Sequence, residues 1–192
     1  MLAGTVGALY RGEQRGARWL WRRVATTGGS SVTAVVWMPD HPQRGYASIF
    51  GSWPPVLSTT DGGRDWRPDA RGLPTTLPTE SLLTVEGETT QVWLSTMGNG
   101  VWRKSGDGVW RDIDAGLPEH HAMPLTLGST GVLYAGTMSN GVYRRQGTSV
   151  WRTLGHGLST GNYIVLSLAL VDGAAPSLLA GTASGVLRCP WP

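Results

Sequence analysis

One segment of about a dozen residues recurs five times along this chain, and this repetition limits the fold more than any other feature. The copies are Met1–Arg11, Tyr46–Ser58, Val92–Arg103, Leu133–Arg144 and Leu178–Arg188, of which the second is the most divergent. An apolar residue two positions before the end marks each copy, and successive markers lie 47, 45, 41 and 44 residues apart. A period of 40 to 50 residues is typical of the four-stranded blade of a β-propeller.

The distribution of glycine and proline argues for strands rather than helices. The chain has 28 glycines and 12 prolines among 192 residues. The longest stretches without either are 17–27 and 162–172, eleven residues each. An interior glycine costs a helix about 1 kcal/mol and a proline about 3 kcal/mol. The chain is therefore predicted to be all-β, with many short strands joined by tight turns.

Each repeat has the pattern of four consecutive strands. Continuous apolar segments predict innermost strands that are buried on both faces, at Val32–Met38, Ser81–Val85, Pro124–Leu127 and Ile164–Leu170. An Ala-Gly-Thr-like strand follows. The pairs Asn99-Gly100 and Asn140-Gly141 then predict two-residue hairpins with positive φ at both central positions. A Trp-Arg pair marks the outermost strand, as in Trp110-Arg111 and Trp151-Arg152.

The repeats predict one propeller domain over residues 1–192, with about five blades that we expect to form a closed ring. The repeats cover approximately 1–30, 31–79, 80–121, 122–161 and 162–192. The first copy lacks an inner strand and the last lacks an outer one. The terminal blades are therefore predicted to have three strands and the others four antiparallel strands, the alternatives being that the chain is a piece of a longer propeller or that two chains complete each other. Exposed strand edges can pair with another chain, so self-association through the incomplete terminal blades is also an expectation.

A turn in the second repeat resembles the Asp-box of BNR repeats. In the pattern Ser/Thr-x-Asp-x-Gly-x-x-Trp, the matching residues are Thr59, Asp61, Gly63 and Trp66. The box is shortened at Ser105–Trp110 and has lost its aspartate at Gln146–Trp151. The chain thus resembles BNR-type propellers, which include photosystem II stability/assembly-factor-like proteins, sortilin-type ectodomains, xyloglucanase-type glycosidases and sialidases. The resemblance implies that the box is a structural turn away from the binding face.

Composition disfavours several classes of function. The net charge of +3 comes with fifteen arginines spread along the chain, whereas non-specific nucleic-acid binding needs a concentrated basic patch. The single cysteine, Cys189, excludes an internal disulfide. The histidines lack the third ligand that a zinc site needs, so we expect neither a metal nor a cofactor. No transmembrane segment or signal peptide is recognised, and the compartment is left open.

Catalysis is not expected, although a glycosidase is the alternative that the resemblance raises. A glycosidase needs two carboxylates at a defined separation. Only Asp40, Glu80 and Glu119 lie near predicted inner-strand ends, and solvated loop carboxylates explain them. The resemblance implies a Phe/Tyr-Arg-Ile-Pro motif in a sialidase, and the chain has none.

The predicted binding residues lie in the loops between second and third strands and in the linkers to the inner strands. They are Trp53, Met97, Glu119, His120, His121, Met138 and Tyr163. Exposed aromatic and methionine side chains are typical of protein-binding surfaces. We therefore expect a non-catalytic scaffold for a protein partner, an assembly factor or an accessory subunit. Trp53 and Tyr163 could equally stack on sugar rings, which leaves a carbohydrate-binding propeller or a remnant of a glycoside hydrolase as the alternative.

Overall fold

A computed structural model describes residues 1–85, 91–118, 120–155, 164–171 and 177–190. Every regular element in these ranges is a β-strand. The chain divides into two compact units, one formed by 1–94 with 103–111 and the other by 95–102 with 112–192. The described residues contain no helix that is long and apolar enough to cross a membrane.

Within the described residues, seventeen strands are grouped into four sheets, and neighbours in each sheet are consecutive in the chain. The first sheet contains β1 (Leu2–Gly4), β2 (Val6–Arg15), β3 (Arg18–Met38), β4 (His41–Ile49), β5 (Val56–Thr59) and β6 (Arg67–Pro68). The second contains β7 (Thr79–Val85), β8 (Gln91–Thr96), β9 (Val101–Lys104) and β10 (Trp110–Asp112). The third contains β11 (Ala122–Leu127), β12 (Val132–Thr137), β13 (Val142–Gln146) and β14 (Arg152–Thr153). The last contains β15 (Val165–Val171), β16 (Ser177–Thr182) and β17 (Gly185–Pro190).

The long strand β3 belongs to two blades. Its residues 18–26 pair antiparallel with β2, whereas its residues 32–38 pair antiparallel with β4. Counted in this way, the strands form groups of three, four, four, four and three. The predicted all-β fold, with four-stranded antiparallel blades between three-stranded terminal blades, is confirmed. The repeat boundaries and the closure of the ring stay predictions.

The Gly-Leu-Pro linkers need glycine because they pass close to the backbone of the next outer strand. In the first unit, Gly72 has φ +98° and a Cβ there would lie 2.4 Å from the carbonyl oxygen of Trp110. The indole of Trp110 donates to the carbonyl of Asp69 at 3.0 Å. In the second unit, Gly116 and Trp151 repeat this arrangement, and the Trp151 indole donates to the carbonyl of Ile113 at 2.7 Å. Each of these two outer-strand tryptophans therefore holds the end of the preceding blade.

The innermost strands are less buried than their apolar sequences predict. In the last blade Val165 is fully buried, but Leu166 is 56% exposed. The strand β15 packs against β11 and β12, and the neighbouring blade therefore covers only part of its surface. The prediction of burial on both faces is wrong for this strand.

Candidate binding loops

The loops between second and third strands of the third and fourth blades are compact turns organised by a threonine. The hydroxyls of Thr96 and Thr137 donate to the carbonyls of Gly100 and Gly141 at 2.8 and 2.9 Å. The same hydroxyls accept the backbone N–H of Asn99 and Asn140, at 3.1 and 3.0 Å. Both threonines are buried. Each loop is therefore closed by its own side-chain hydrogen bonds.

The predicted two-residue Asn-Gly hairpins are wrong. Among the described residues, His120 is the one non-glycine residue with positive φ, so neither asparagine adopts that conformation. The backbone hydrogen bond instead runs from the N–H of Thr96 to the carbonyl of Gly100, at 3.1 Å, and encloses a longer loop. The threonine hydroxyl stabilises this loop, which the pattern of Asn-Gly alone does not reveal.

The corresponding loop of the second blade is larger and presents aromatic side chains. Trp53 is 56% exposed and Phe50 is 42% exposed. The loop is held at its base by the N–H groups of Ile49, Phe50 and Gly51, which donate to the carbonyls of Pro55, Ser31 and Leu77 at 2.8, 2.9 and 3.1 Å. The loop therefore holds exposed apolar surface on an anchored backbone, which lowers the entropy that binding would cost.

Phe50 is the member of this loop that the sequence analysis did not select. It follows the second strand, at the position that Met97 and Met138 occupy in the third and fourth blades, so the repeat alignment gave a signal that the sequence analysis did not use. Its identity gave a second signal, because it is the only phenylalanine of the chain and it precedes Gly-Ser-Trp.

The structure brings Met97, His120 and His121 together at one corner of the second unit. Met97 forms an isolated antiparallel bridge with His121. The carbonyl of His120 accepts the N–H groups of Gly98 and Gly100 at 3.1 and 2.6 Å. The imidazole Nδ1 of His120 contacts the carboxylate of Asp114. The turn of the third blade is thus fixed onto the linker that enters the fourth.

The remaining predicted residues are more scattered. Met138 is half-buried in the turn of the fourth blade. Glu119 and Tyr163 lie outside the described residues. Within the described ranges, no cluster of three or more His, Cys, Asp or Glu side chains could hold a metal ion.

The carboxylate of Asp61 is used inside its own turn. Asp61 Oδ1 accepts the hydroxyl of Thr59 at 2.8 Å and the N–H groups of Arg64 and Asp65 at 2.9 and 3.1 Å. These bonds, with that from Asp65 first, lower the pKa of Asp61 below its usual value. The indole of Trp66 donates to the carbonyl of Gly63 at 3.3 Å, closing the turn.

Glu80 and Glu119 lie in adjacent repeats and are the two acids that could form a glycosidase pair, and of these two Glu80 is among the described residues. It lies in the inner strand β7 and is partly buried, and this burial raises its pKa. Asp40, in the turn between β3 and β4, is exposed.

Comparison with known proteins is informative for the fold. No protein-family model matches the chain, and no curated protein matches it significantly. Among solved structures, it is similar to the GH74 xyloglucanase from Xanthomonas campestris, with 18% identity, a TM-score of 0.74, and coverage of 97% of this chain and 34% of that one. It is also similar to an ancestral GH74 enzyme, with 19% identity, a TM-score of 0.74, and coverage of 97% and 28%.

A third similar structure is YCF48 bound to D1 peptide, with 16% identity, a TM-score of 0.66, and coverage of 96% of this chain and 57% of that one. The chain therefore spans about a quarter to just over half of the length of these proteins. Since every identity is below 20%, the likeness establishes the β-propeller fold and no more.

Proposed function

We propose that this chain is a non-catalytic binding propeller of the BNR/Asp-box type that engages a protein partner, as an assembly factor or accessory subunit. The observation that carries the proposal is the loop of the second blade. Trp53 and Phe50 are exposed there, although the loop is tied by backbone hydrogen bonds to its own base and to two neighbouring segments. Exposed, anchored aromatic side chains are the residues that dominate binding energy at protein interfaces.

We assign to the remaining predicted loop residues secondary contacts with the protein partner. Met97, His120, His121 and Met138 lie in or beside the turns of the third and fourth blades. Glu119 and Tyr163 complete the proposed set from the sequence. The half-buried methionines offer adaptable apolar surface, and the histidines offer polar atoms for a rim.

The similarity to YCF48 bound to D1 peptide supports the choice of a protein ligand, because it shows a related fold with a peptide partner. The box turn supports the absence of a catalytic role for Asp61, since that carboxylate already accepts bonds from Thr59, Arg64 and Asp65.

A carbohydrate ligand is the second candidate, and the GH74 neighbours favour it. The exposed indole of Trp53 could stack on a sugar ring instead of packing against a protein. Under this alternative the chain would be a glycan-binding propeller or a remnant of a glycoside hydrolase, and turnover would depend on Glu80 or Glu119.

Affinity capture from a native lysate tests the proposal. The full chain, Trp53→Ala and the control Trp19→Ala are tagged, and the co-purifying proteins are quantified by mass spectrometry. Trp19 is a suitable control because it is 42% exposed, comparable with Trp53. We expect a stoichiometric protein with the wild type and Trp19→Ala that is lost with Trp53→Ala.

Equal recovery with Trp53→Ala would contradict the proposed site. An empty capture together with retention on immobilised xyloglucan, abolished by Trp53→Ala, would instead support the carbohydrate alternative.

A further inference from the structure

The first blade carries a long hairpin that forms one wall of a basic groove. The strands β2 and β3 remain paired from Arg15↔Arg18 to Ala8↔Thr26. By contrast, β13 and β14 of the fourth blade pair at two positions. The groove between this hairpin and the Asp-box turn has a volume of about 490 Å³. Such a volume is in the range of ligand-binding clefts.

Four arginines line the groove together with two carboxylates, which leaves a net charge of +2. The arginines are Arg11, Arg15, Arg22 and Arg64, and the acids are Glu13 and Asp65. The hydrogen bond from Arg11, with the nearby charges of Arg15 and Arg64, lowers the pKa of Glu13, so this carboxylate is ionised at neutral pH. The groove thus presents both signs of charge with an excess of positive charge.

The hairpin places like charges directly opposite each other. Arg11 is the cross-strand neighbour of Arg22, and Arg15 is the neighbour of Arg18. Like charges in such positions destabilise a sheet. A bound anion would relieve this repulsion. Arg144 and Arg152 are opposed in the same way on another hairpin, so it is the convergence of four arginines on one groove that points to a negatively charged ligand.

Two of the arginines are available to such a ligand. Arg11 donates to Glu13 and to the carbonyl of Gly62, and Arg64 donates to the carbonyl of Asp61 at 2.9 Å. Arg15 and Arg22 are exposed and form no hydrogen bond or ion pair with the described residues. The groove therefore has two fixed guanidiniums and two uncommitted ones.

We propose that this groove binds an extended acidic peptide segment, independently of the Trp53 loop. A peptide of this kind alternates carboxylates, which match the arginines, with amide N–H groups, which can donate to Glu13 and Asp65. A nucleic acid or a sulfated glycan carries an anion at nearly every unit and would be repelled by those two carboxylates. The charge pattern of the groove therefore favours a peptide over a uniform polyanion.

The outer edge of the hairpin supports the same occupant. Residues 18–26 of β3 form a ladder with β2 on one side and with no other strand among the described residues. An open strand edge offers backbone groups to which an extended peptide can add. Arg22 and Val24, which lie on this strand, also line the groove.

Fluorescence anisotropy with defined probes tests the proposal. The probe is a fluorescein-labelled octapeptide of alternating Glu and Ser, and its counterpart is an octapeptide of alternating Lys and Ser. At an ionic strength of about 0.1 M, where the Debye length is about 10 Å, the full chain is expected to bind the Glu/Ser probe and to ignore the Lys/Ser probe. Arg15→Ser combined with Arg22→Ser should weaken binding about tenfold, since two exposed charge pairs each contribute a few-fold.

Two control variants distinguish binding in the groove from attraction to the overall positive charge of the protein. Arg144→Ser combined with Arg152→Ser removes an opposed arginine pair from another hairpin and should change the affinity less than about twofold. Trp53→Ala should leave peptide binding unchanged. The groove is therefore tested independently of the proposed function of the Trp53 loop. Arg15→Glu combined with Arg22→Glu should reverse the preference toward the Lys/Ser probe.

Absence of Glu/Ser binding by the wild type, or equal weakening by the Arg144 and Arg152 control, would overturn the proposal. Tighter binding of octathymidylate or of a heparin tetrasaccharide at the same arginines would also overturn it, in favour of a polyanion site.

Discussion

The loop of the second blade and the turns of the third and fourth blades occupy the same place in their repeats but are stabilised differently. The turns at 96–100 and 137–141 are each closed by a buried threonine hydroxyl. The second-blade loop has no such threonine and is anchored through backbone N–H groups at Ile49, Phe50 and Gly51. Its side chains are consequently not needed to hold the turn, and Trp53 can remain exposed.

This difference shows how one repeat can acquire a different loop without loss of the fold. The strands on either side stay in equivalent register, since Ser48 pairs with Val56 as Gly136 pairs with Val142. The residues between these pairs differ in number, with seven at 49–55 and five at 137–141. The compact turns are thus stabilised by side-chain hydrogen bonds, whereas the second-blade loop is stabilised by backbone hydrogen bonds.

The largest expected effect contrasts Gly100→Ala with Gly51→Ala. Both glycines have positive φ, at +69° and +62°, which costs an alanine about 1 kcal/mol. At Gly100 the new Cβ would also lie 2.3 Å from the Cβ of Asp114, whereas at Gly51 nothing lies within 4 Å. We expect urea unfolding to show a loss of about 3 kcal/mol for Gly100→Ala and about 1 kcal/mol for Gly51→Ala. Equal losses would show that the compact turn is not the tighter of the two.

A smaller effect contrasts Thr137→Val with Ser52→Ala. The valine removes the hydroxyl that bonds to both Gly141 and Asn140, in a fully buried position. We expect a loss of about 2 kcal/mol in the free energy of unfolding. Ser52 makes no side-chain hydrogen bond with the described residues, so Ser52→Ala should change stability by less than about 0.5 kcal/mol. A cost at Ser52 as large as that at Thr137 would show that side chains hold the second-blade loop as well.

The smallest effect concerns the turns that precede the outer strands of the second and fourth blades, and it depends on pH. Asp61 has a lowered pKa in the folded protein, so its contribution to stability is complete above the pKa of the unfolded chain, about 4. That contribution is lost as pH falls through the folded value. Thermal unfolding should therefore give a higher Tm for the wild type than for Asp61→Asn at pH 7. The difference in Tm should narrow as pH falls below 4.

The fourth blade supplies the control for this pH dependence. Its corresponding turn uses the hydroxyl of Ser149, which donates to the carbonyl of Gln146 at 2.6 Å and does not titrate. The destabilisation caused by Ser149→Ala should stay constant over the same pH range. A pH-independent gap for Asp61→Asn would mean that its charge does not stabilise the turn.

The sequence predicted the fold better than the details of its loops. The repeat period and the absence of long runs without glycine or proline indicated the blades, because both follow from local backbone chemistry. The Asn-Gly turns were predicted wrongly, since a buried threonine hydroxyl at Thr96 or Thr137 competes with the local preference of Asn-Gly. Whether a side chain such as Phe50 is exposed depends on packing, which the repeat pattern does not encode.

The basic groove was missed for a similar reason. Its arginines are separated by four to more than fifty positions in the chain, from Arg11 to Arg64, and no charge run marks them. They converge because the first hairpin is long and because the next blade turns at Asp61. Only the cross-strand register, Arg11 with Arg22 and Arg15 with Arg18, makes the concentration of charge evident.

Replacement of the second-blade loop tests most directly the claim that this loop carries recognition. Residues 49–55 are exchanged for the Thr-Met-Ser-Asn-Gly turn of 137–141, which joins equivalent positions of the register. The account predicts that the variant unfolds cooperatively and keeps its β-sheet circular dichroism but captures none of the partner that the wild type captures. Capture at the wild-type level by a folded variant would contradict it.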